Sequence, residues 1–172
     1  MQVRPVRPEE YDEAGELVVA AYRALPRAHL SDGYADLLAD VARRSTGAEV
    51  LVAVHRADDG GRDDVFGCVT FVADASSPWS ELLEAGEASI RMLAVRPDAQ
   101  RQGIGKLLVD ACVVRARALG REALMLHTTP WMTAAHHLYE EVGFERFPAR
   151  DWTPEPEVPL LAYRLELGVR EI

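Results

Sequence analysis

Leu93-Ala94-Val95-Arg96-Pro97-Asp98-Ala99-Gln100-Arg101-Gln102-Gly103-Ile104-Gly105-Lys106-Leu107-Leu108 decides how this chain is read. The stretch Ala88–Val95 reads as a strand, and Pro97, which has no ladder donor, ends it. From Gly103 to Leu119 the spacing predicts a helix with Ile104, Leu107, Leu108, Ala111, Ala118 and Leu119 on one face, stopped by Gly120. Such a strand–loop–helix junction aims backbone N–H groups and the positive end of a helix dipole at one spot. Gly103 and Gly105 let a phosphate approach the backbone with no Cβ in the way, and Arg101 and Lys106 add two cations. Physically this is a polyanion site.

Two familiar phosphate loops do not fit. A nucleoside-triphosphate loop needs a Gly where Gln100 stands and Ser or Thr where Leu107 follows Lys106. A dinucleotide fingerprint needs a third Gly at Leu108. What remains is Gln-x-x-Gly-x-Gly after a strand ending in Val-x-Pro.

Working outward, Val3–Val6 is a short strand, and Pro8-Glu9-Glu10 starts a helix with Ala14, Leu17, Val18 and Ala21 at helical spacing. Residues 33–43 read as a second helix with Tyr34, Leu37, Leu38 and Val41 on one face. Glu49–His55 and Val65–Val72 are strands joined at the Asp58-Asp59-Gly60-Gly61 turn. Residues 74–87 form a loop. Ala123–His127 is a strand, residues 132–142 a helix ending at Gly143, and Phe144–Phe147 and Pro159–Leu167 the last strands. The order predicts an α/β sheet with both parallel and antiparallel pairs.

The chain has 172 residues, of which 48% are apolar, so one domain over 1–172 with its own core is expected. The net charge of −9 argues against nucleic-acid binding and is compatible with a cationic substrate. Of 19 basic residues only Lys106 is lysine. Cys68 and Cys112 sit among apolar neighbours, with no zinc-ligand spacing, so no metal is expected. Neither a signal peptide nor a run of 18 apolar residues is present, so a cytoplasmic setting without membrane contact is the default expectation.

The quoted stretch, together with Leu138-Tyr139-Glu140-Glu141-Val142-Gly143-Phe144 further along, resembles the two hallmarks of the GCN5-related N-acetyltransferase (GNAT) superfamily. The resemblance covers nearly the whole chain and is strongest over residues 88–146. It implies a single-domain fold with a mixed six- to seven-stranded sheet, about four helices and splayed central parallel strands. It implies acetyl-CoA as co-substrate, with pantetheine along Leu93, Ala94 and Val95, and the pyrophosphate on Gln100, Arg101, Gln102, Gly103, Ile104, Gly105 and Lys106. The Leu93 amide would polarise the thioester carbonyl, and Tyr139 would protonate the departing thiolate. A homodimer is expected at the level of the family only. Two positions depart from the pattern. Met132 stands where many members carry an Asn that contacts coenzyme A, with His127, Thr128 or Thr129 as replacements. Ser89 stands where some members place a catalytic Glu, and Glu87, two residues earlier on the same face, is the candidate base.

An amine of pKa near 10 is about 4 kcal/mol from its nucleophilic form at pH 7, so the transfer needs a base, an oxyanion donor and an acid. His127 is a second base candidate, and Arg91, which shares the Glu87 face, is a candidate to pair with that carboxylate or to orient an acidic substrate group. His136 and His137 lie on a helix without a partner at ligand spacing. Acceptor recognition falls to Tyr22, His29, Asp32, Tyr34, Trp79, Glu81 and Glu84, whose aromatics and carboxylates suit a cation, with Trp131 and Trp152 flanking the mouth. The expected activity is transfer of an acetyl group to a primary amine of a small molecule or peptide. The rival from another class is a non-catalytic acyl-CoA-binding regulatory module. A toxin acting on charged transfer RNA is disfavoured by the −9 charge. The acceptor, the acyl-chain preference and the oligomeric state are not legible in the sequence.

Overall fold

The protein was analysed as a computed structural model, which describes residues 1–27 and 30–168. The strands are β1 (Gln2–Pro5), β2 (Glu49–His55), β3 (Asp64–Val72), β4 (Glu87–Val95), β5 (Ala123–Thr128), β6 (Glu145–Arg146), β7 (Trp152–Glu155) and β8 (Val158–Glu166). The α-helices are α1 (Tyr11–Arg23), α2 (Asp32–Ala39), α3 (Val41–Arg44), α4 (Ile104–Ala118) and α5 (Thr133–Val142). The strands form one sheet in the order β1-β2-β3-β4-β5-β8-β6, with β7 also on β8. Among the described residues only β4 and β5 run parallel; every other pair is antiparallel. The expected mixed α/β sheet is present, with β7 as an additional short strand.

Each face of the sheet buries its own core. On one side Ala14, Leu17, Val18 and Ala21 of α1 and Leu38 of α2 pack on Val50, Val52, Cys68 and Met92. On the other, Leu108, Val109, Cys112 and Val113 of α4, with Tyr139 and Phe144, pack on Leu51, Val69, Ile90 and Leu124. The α4 face is turned relative to the sequence expectation. Ile104, Leu108, Cys112 and Ala116, four apart, point inward, while Leu107 and Leu119 are 43% and 50% exposed. Gly67 explains the close approach, because a Cβ there would lie 2.8 Å from a Leu108 methyl.

The helix expected over 33–43 is two helices. Asp40 leaves the helical region (φ −82°, ψ 72°), and its carboxylate caps α3 by accepting from the Arg43 amide at 2.9 Å. The strand expected over Phe144–Phe147 narrows to Glu145–Arg146, with Phe144 buried beside Tyr139.

Candidate active site

The parallel pair stops almost where it starts. Glu87, Ala88 and Ser89 pair with Ala123, Leu124 and Met125, and beyond Ser89 the two strands share no rung. β5 continues to Thr128 on the opposite partner, β8. The β4 backbone from Ile90 to Val95 therefore has β3 on one side and a gap on the other. A β-bulge sits on the wall of this gap: Met92 and Leu93 together oppose Val69. Met92 takes φ 52°, a costly conformation for a side chain without a local hydrogen-bonding group. Strain held at one residue of a central strand re-aims the next amide, that of Leu93. Nothing in the local sequence announces it.

The loop that follows is concave. Arg101 (φ 61°) and Gly103 (φ 81°) both turn through the left-handed region, a nest-like arrangement of backbone N–H groups. The first intrahelical bond of α4 is Leu107 N–H to Gly103 O at 3.1 Å, so the amides of Ile104, Gly105 and Lys106 have no carbonyl partner within the helix. A Cβ on Gly105 would lie 3.1 Å from Leu138 of α5, whereas Gly103 has open space and is required for its φ. The Gln100 side chain donates to Val95 O at 3.4 Å, tying loop to strand. Lys106 is engaged along its own helix by Asp110 at 2.8 Å. The gap, the bulge and the nest together fit a pantetheine–pyrophosphate chain: unpaired strand backbone for its amides, then unpaired helix-terminal N–H groups for its anion.

Tyr139, on α5, lies in the core on the α4 face of the sheet. It is buried against Phe144 and Tyr163, with ring centroids 5.9 and 6.1 Å away. Burial, with Cys112 adding to it, raises its hydroxyl well above the ordinary phenol range. Tyr22, from α1 on the other face, is also pushed up, by burial first and then by neighbouring Tyr34 and Tyr139. Tyr22 and Tyr34 meet edge-on at 6.3 Å. Arg91 lies nearby; it donates to Trp79 O at 2.9 Å and to Glu81 at 2.7 Å. At the outer rim the Arg27 guanidinium covers the Trp131 ring at 5.9 Å.

Glu87 is not brought to this gap. It heads β4, six residues before Leu93, which is about 20 Å of strand. Its carboxylate is buried under Arg164 (2.5 Å) and Arg150 (3.3 Å), and it accepts from the Glu84 amide at 2.9 Å. Arg91, expected as its partner, pairs with Glu81 instead. Glu84 joins the Arg150 cluster at 2.8 Å, away from the aromatic side. His127 and His136 bond to the carbonyls of Arg150 and Thr129, both at 2.9 Å, and His137 is exposed. Thr128 Oγ1 donates to Met132 Sδ at 3.7 Å, Trp152 lies on β7, and Asp32 opens α2 on the exposed side. His29 falls outside the described residues. Cys68 and Cys112 are buried and free, and burial pushes the Cys68 thiol up to about 11. Among the described residues no group of three or more His, Cys, Asp or Glu side chains could hold a metal ion, and no helix is long and apolar enough to cross a membrane.

A mixed sheet whose parallel pair parts beside a glycine loop at a helix N-terminus defines the acetyltransferase fold. The sequence profile of the Acetyltransferase (GNAT) family matches residues 15–144, and the chain belongs to that family. An acetyltransferase of the GNAT family from Staphylococcus aureus Mu50 superposes with a TM-score of 0.74 at 13% identity, covering 97% of this chain and 99% of that one. A Salmonella typhimurium protein, solved with its cofactor acetyl-CoA, gives a TM-score of 0.63 at 20% identity over 98% and 94% of the two chains. Among curated relatives, the mycothiol acetyltransferase of Rhodococcus opacus is 36% identical over 64 residues, which is 37% of this chain and 21% of that protein. That of Gordonia bronchialis is 32% identical over 81 residues, 43% of this chain and 26% of the relative. The chain thus matches only about a quarter of the length of these relatives.

Proposed function

We propose that this chain transfers the acetyl group of acetyl-CoA to a primary amine of a small molecule or peptide by direct attack, as an N-acetyltransferase. The observation that carries the reading is the parting of β4 from β5 after Ser89 and Met125, with the Met92–Leu93 bulge on its wall. Bound acetyl-CoA supplies an activated acyl group. Leu93, Ala94 and Val95 offer backbone to the pantetheine amides, and Gln100 to Lys106 hold the pyrophosphate. The Leu93 amide donates to the acyl oxygen as charge develops there. Tyr139 stays protonated across the working pH range. A phenol that is a weaker acid than a thiol does not give its proton to sulfur on its own, so Tyr139 acts as a relay: its proton passes to the departing sulfur only as it takes up the one the attacking nitrogen gives up. An N–C bond forms, the C–S bond breaks, and the amine proton ends on sulfur.

The curated relatives' names support acetyl transfer as the reaction class and leave the acceptor open. The test is thiol release from acetyl-CoA across a panel of amines, with coenzyme A binding measured beside it. Release with at least one amine, reduced about 100-fold or more by Tyr139→Phe at preserved coenzyme A affinity, is the expected result. Tight binding with no release across the panel would instead favour a non-catalytic acyl-CoA-binding module.

A further inference from the structure

Under the C-terminal turn of α2 lies a charge that the fold leaves without a carboxylate. The Arg44 guanidinium is fully buried. Its Nη1 donates to Leu37 O and Leu38 O at 3.0 and 2.5 Å, closing the C-terminal turn of α2. Nε and Nη2 are buried with no oxygen partner and only the Cys68 thiol as a neighbouring interacting group, so no described carboxylate bonds to this cation. The Thr70 hydroxyl, on β3 opposite Arg91, is also buried and unpartnered. Cys68, two residues from Thr70 on the same face, feels the Arg44 charge. Tyr22 and Tyr34 feel both Arg91 and Arg44, each of which works against the rise that burial imposes on them.

Two guanidiniums thus stand against one carboxylate, Glu81, in a chain of net charge −9. Unpaired buried donors are costly, and a buried cation without a counter-ion is costlier still. The complement of such unpaired donors is an acceptor-rich anion, the opposite of the cationic substrate suggested by overall charge. Glu81 is itself a carboxylate held on Arg91, from a half-exposed loop position whose pairing is weak. It occupies the place a substrate carboxylate would take. Arg91 is two residues from Leu93, about 7 Å of strand, a separation spanned by a compact molecule that carries an amine and a carboxylate a few bonds apart.

We propose that the acceptor is an amine bearing a carboxylate, an amino acid or short peptide, and that Arg91 binds that carboxylate by displacing Glu81, with Arg44 and Thr70 beneath it. This rests on the reading of the β4–β5 gap as an acyl-transfer site. Thiol release from acetyl-CoA is to be measured with matched sets: an amino acid, its carboxamide and its decarboxylated amine. The free acid is expected to exceed the carboxamide in kcat/KM by about 10- to 100-fold. Arg91→Gln brings that ratio close to one through KM, Arg91→Lys restores part of it, and Glu81→Gln lowers KM for the acid. Calorimetric titration of N-acetyl-amino acids and their carboxamides into the coenzyme A complex separates the two ideas. Preferential binding of the acid without any thiol release leaves the carboxylate site standing and removes the transfer reading. Equal treatment of acid and carboxamide in both turnover and binding overturns the inference.

Discussion

At Glu87 two guanidiniums converge on one buried carboxylate, and this decides what the residue can do. A base must shed its partners to accept a proton, and Arg164 and Arg150 hold Glu87 about 20 Å along the strand from the Leu93 amide. Glu87→Gln is therefore expected to act on stability and not on chemistry. It takes the buried carboxylate from two partly buried cations, leaving Arg150 only the carboxylate of Glu84 and Arg164 only that of Glu166, both exposed, and should cost about 1–3 kcal/mol in urea melts. Thiol release at a temperature where the variant is folded should stay within about twofold of wild type; a hundredfold loss would restore Glu87 as the base. Without a strand carboxylate to take the proton, the amine must arrive neutral. The value of kcat/KM is then expected to climb about tenfold per pH unit toward the amine pKa, with no break in the carboxylate range. Tyr139→Phe should leave the melting curve almost unmoved, within about 0.5 kcal/mol, because the hydroxyl makes no hydrogen bond among the described residues.

The decisive element is the junction from β4 through the loop into α4. Gly103 and Gly120 bracket α4, and both take positive φ, 81° and 67°, in open space. Ala at either position should cost a similar amount of stability, about 1–2 kcal/mol, from the same left-handed strain. Only Gly103 sits in the nest, so only Gly103→Ala should also weaken coenzyme A binding, by about tenfold or more in a direct titration. Equal affinities for the two variants would remove the loop from the cofactor site. Gly105 works differently. Its missing side chain lets Leu138 of α5 approach, which couples the loop to the helix carrying Tyr139.

Across the whole molecule, one buried ion cluster fastens the N-terminal strand to the rest. Arg4 of β1 binds Glu10, at the entrance to α1, and Asp63, before β3, at 2.6 and 2.8 Å. Burial pushes the Glu10 carboxyl up, but hydrogen bonds from Arg4 and the Arg7 amide, with both charges, bring it below the usual range. Asp63 is lowered mainly by its hydrogen bond from Arg4. Carboxyls depressed in the folded state stabilise it above their unfolded pKa of about 4, and this is lost as pH falls through the lower folded values. Thermal melts should thus fall away below pH 4. Arg4→Met, which strands buried Glu10, should cost about 3 kcal/mol at pH 7 and progressively less toward pH 3. A constant penalty across that range would contradict the assignment.

The residues proposed to grip the cofactor could be read in the sequence because the rules that place them are local. A glycine's φ, a proline's missing donor and the helical spacing after Gly103 act within a few positions, so Gly103, Gly105 and the strand into Val95 announced themselves. The elements followed for the same reason, down to Glu49–His55 residue for residue. Local periodicity also misled: Leu107 fits an apolar face in isolation, and only packing against the sheet turned that face toward Cys112 and Ala116. The acid–base partners obeyed no local rule. Arg150 and Arg164 reach Glu87 from 63 and 77 positions away, and Arg44 sits buried under the C-terminal turn of α2, bonded to the carbonyls of Leu37 and Leu38. Long side chains find their charges through space, so which carboxylate is locked, which cation is left bare and where β4 parts from β5 were settled only when the sheet closed around them.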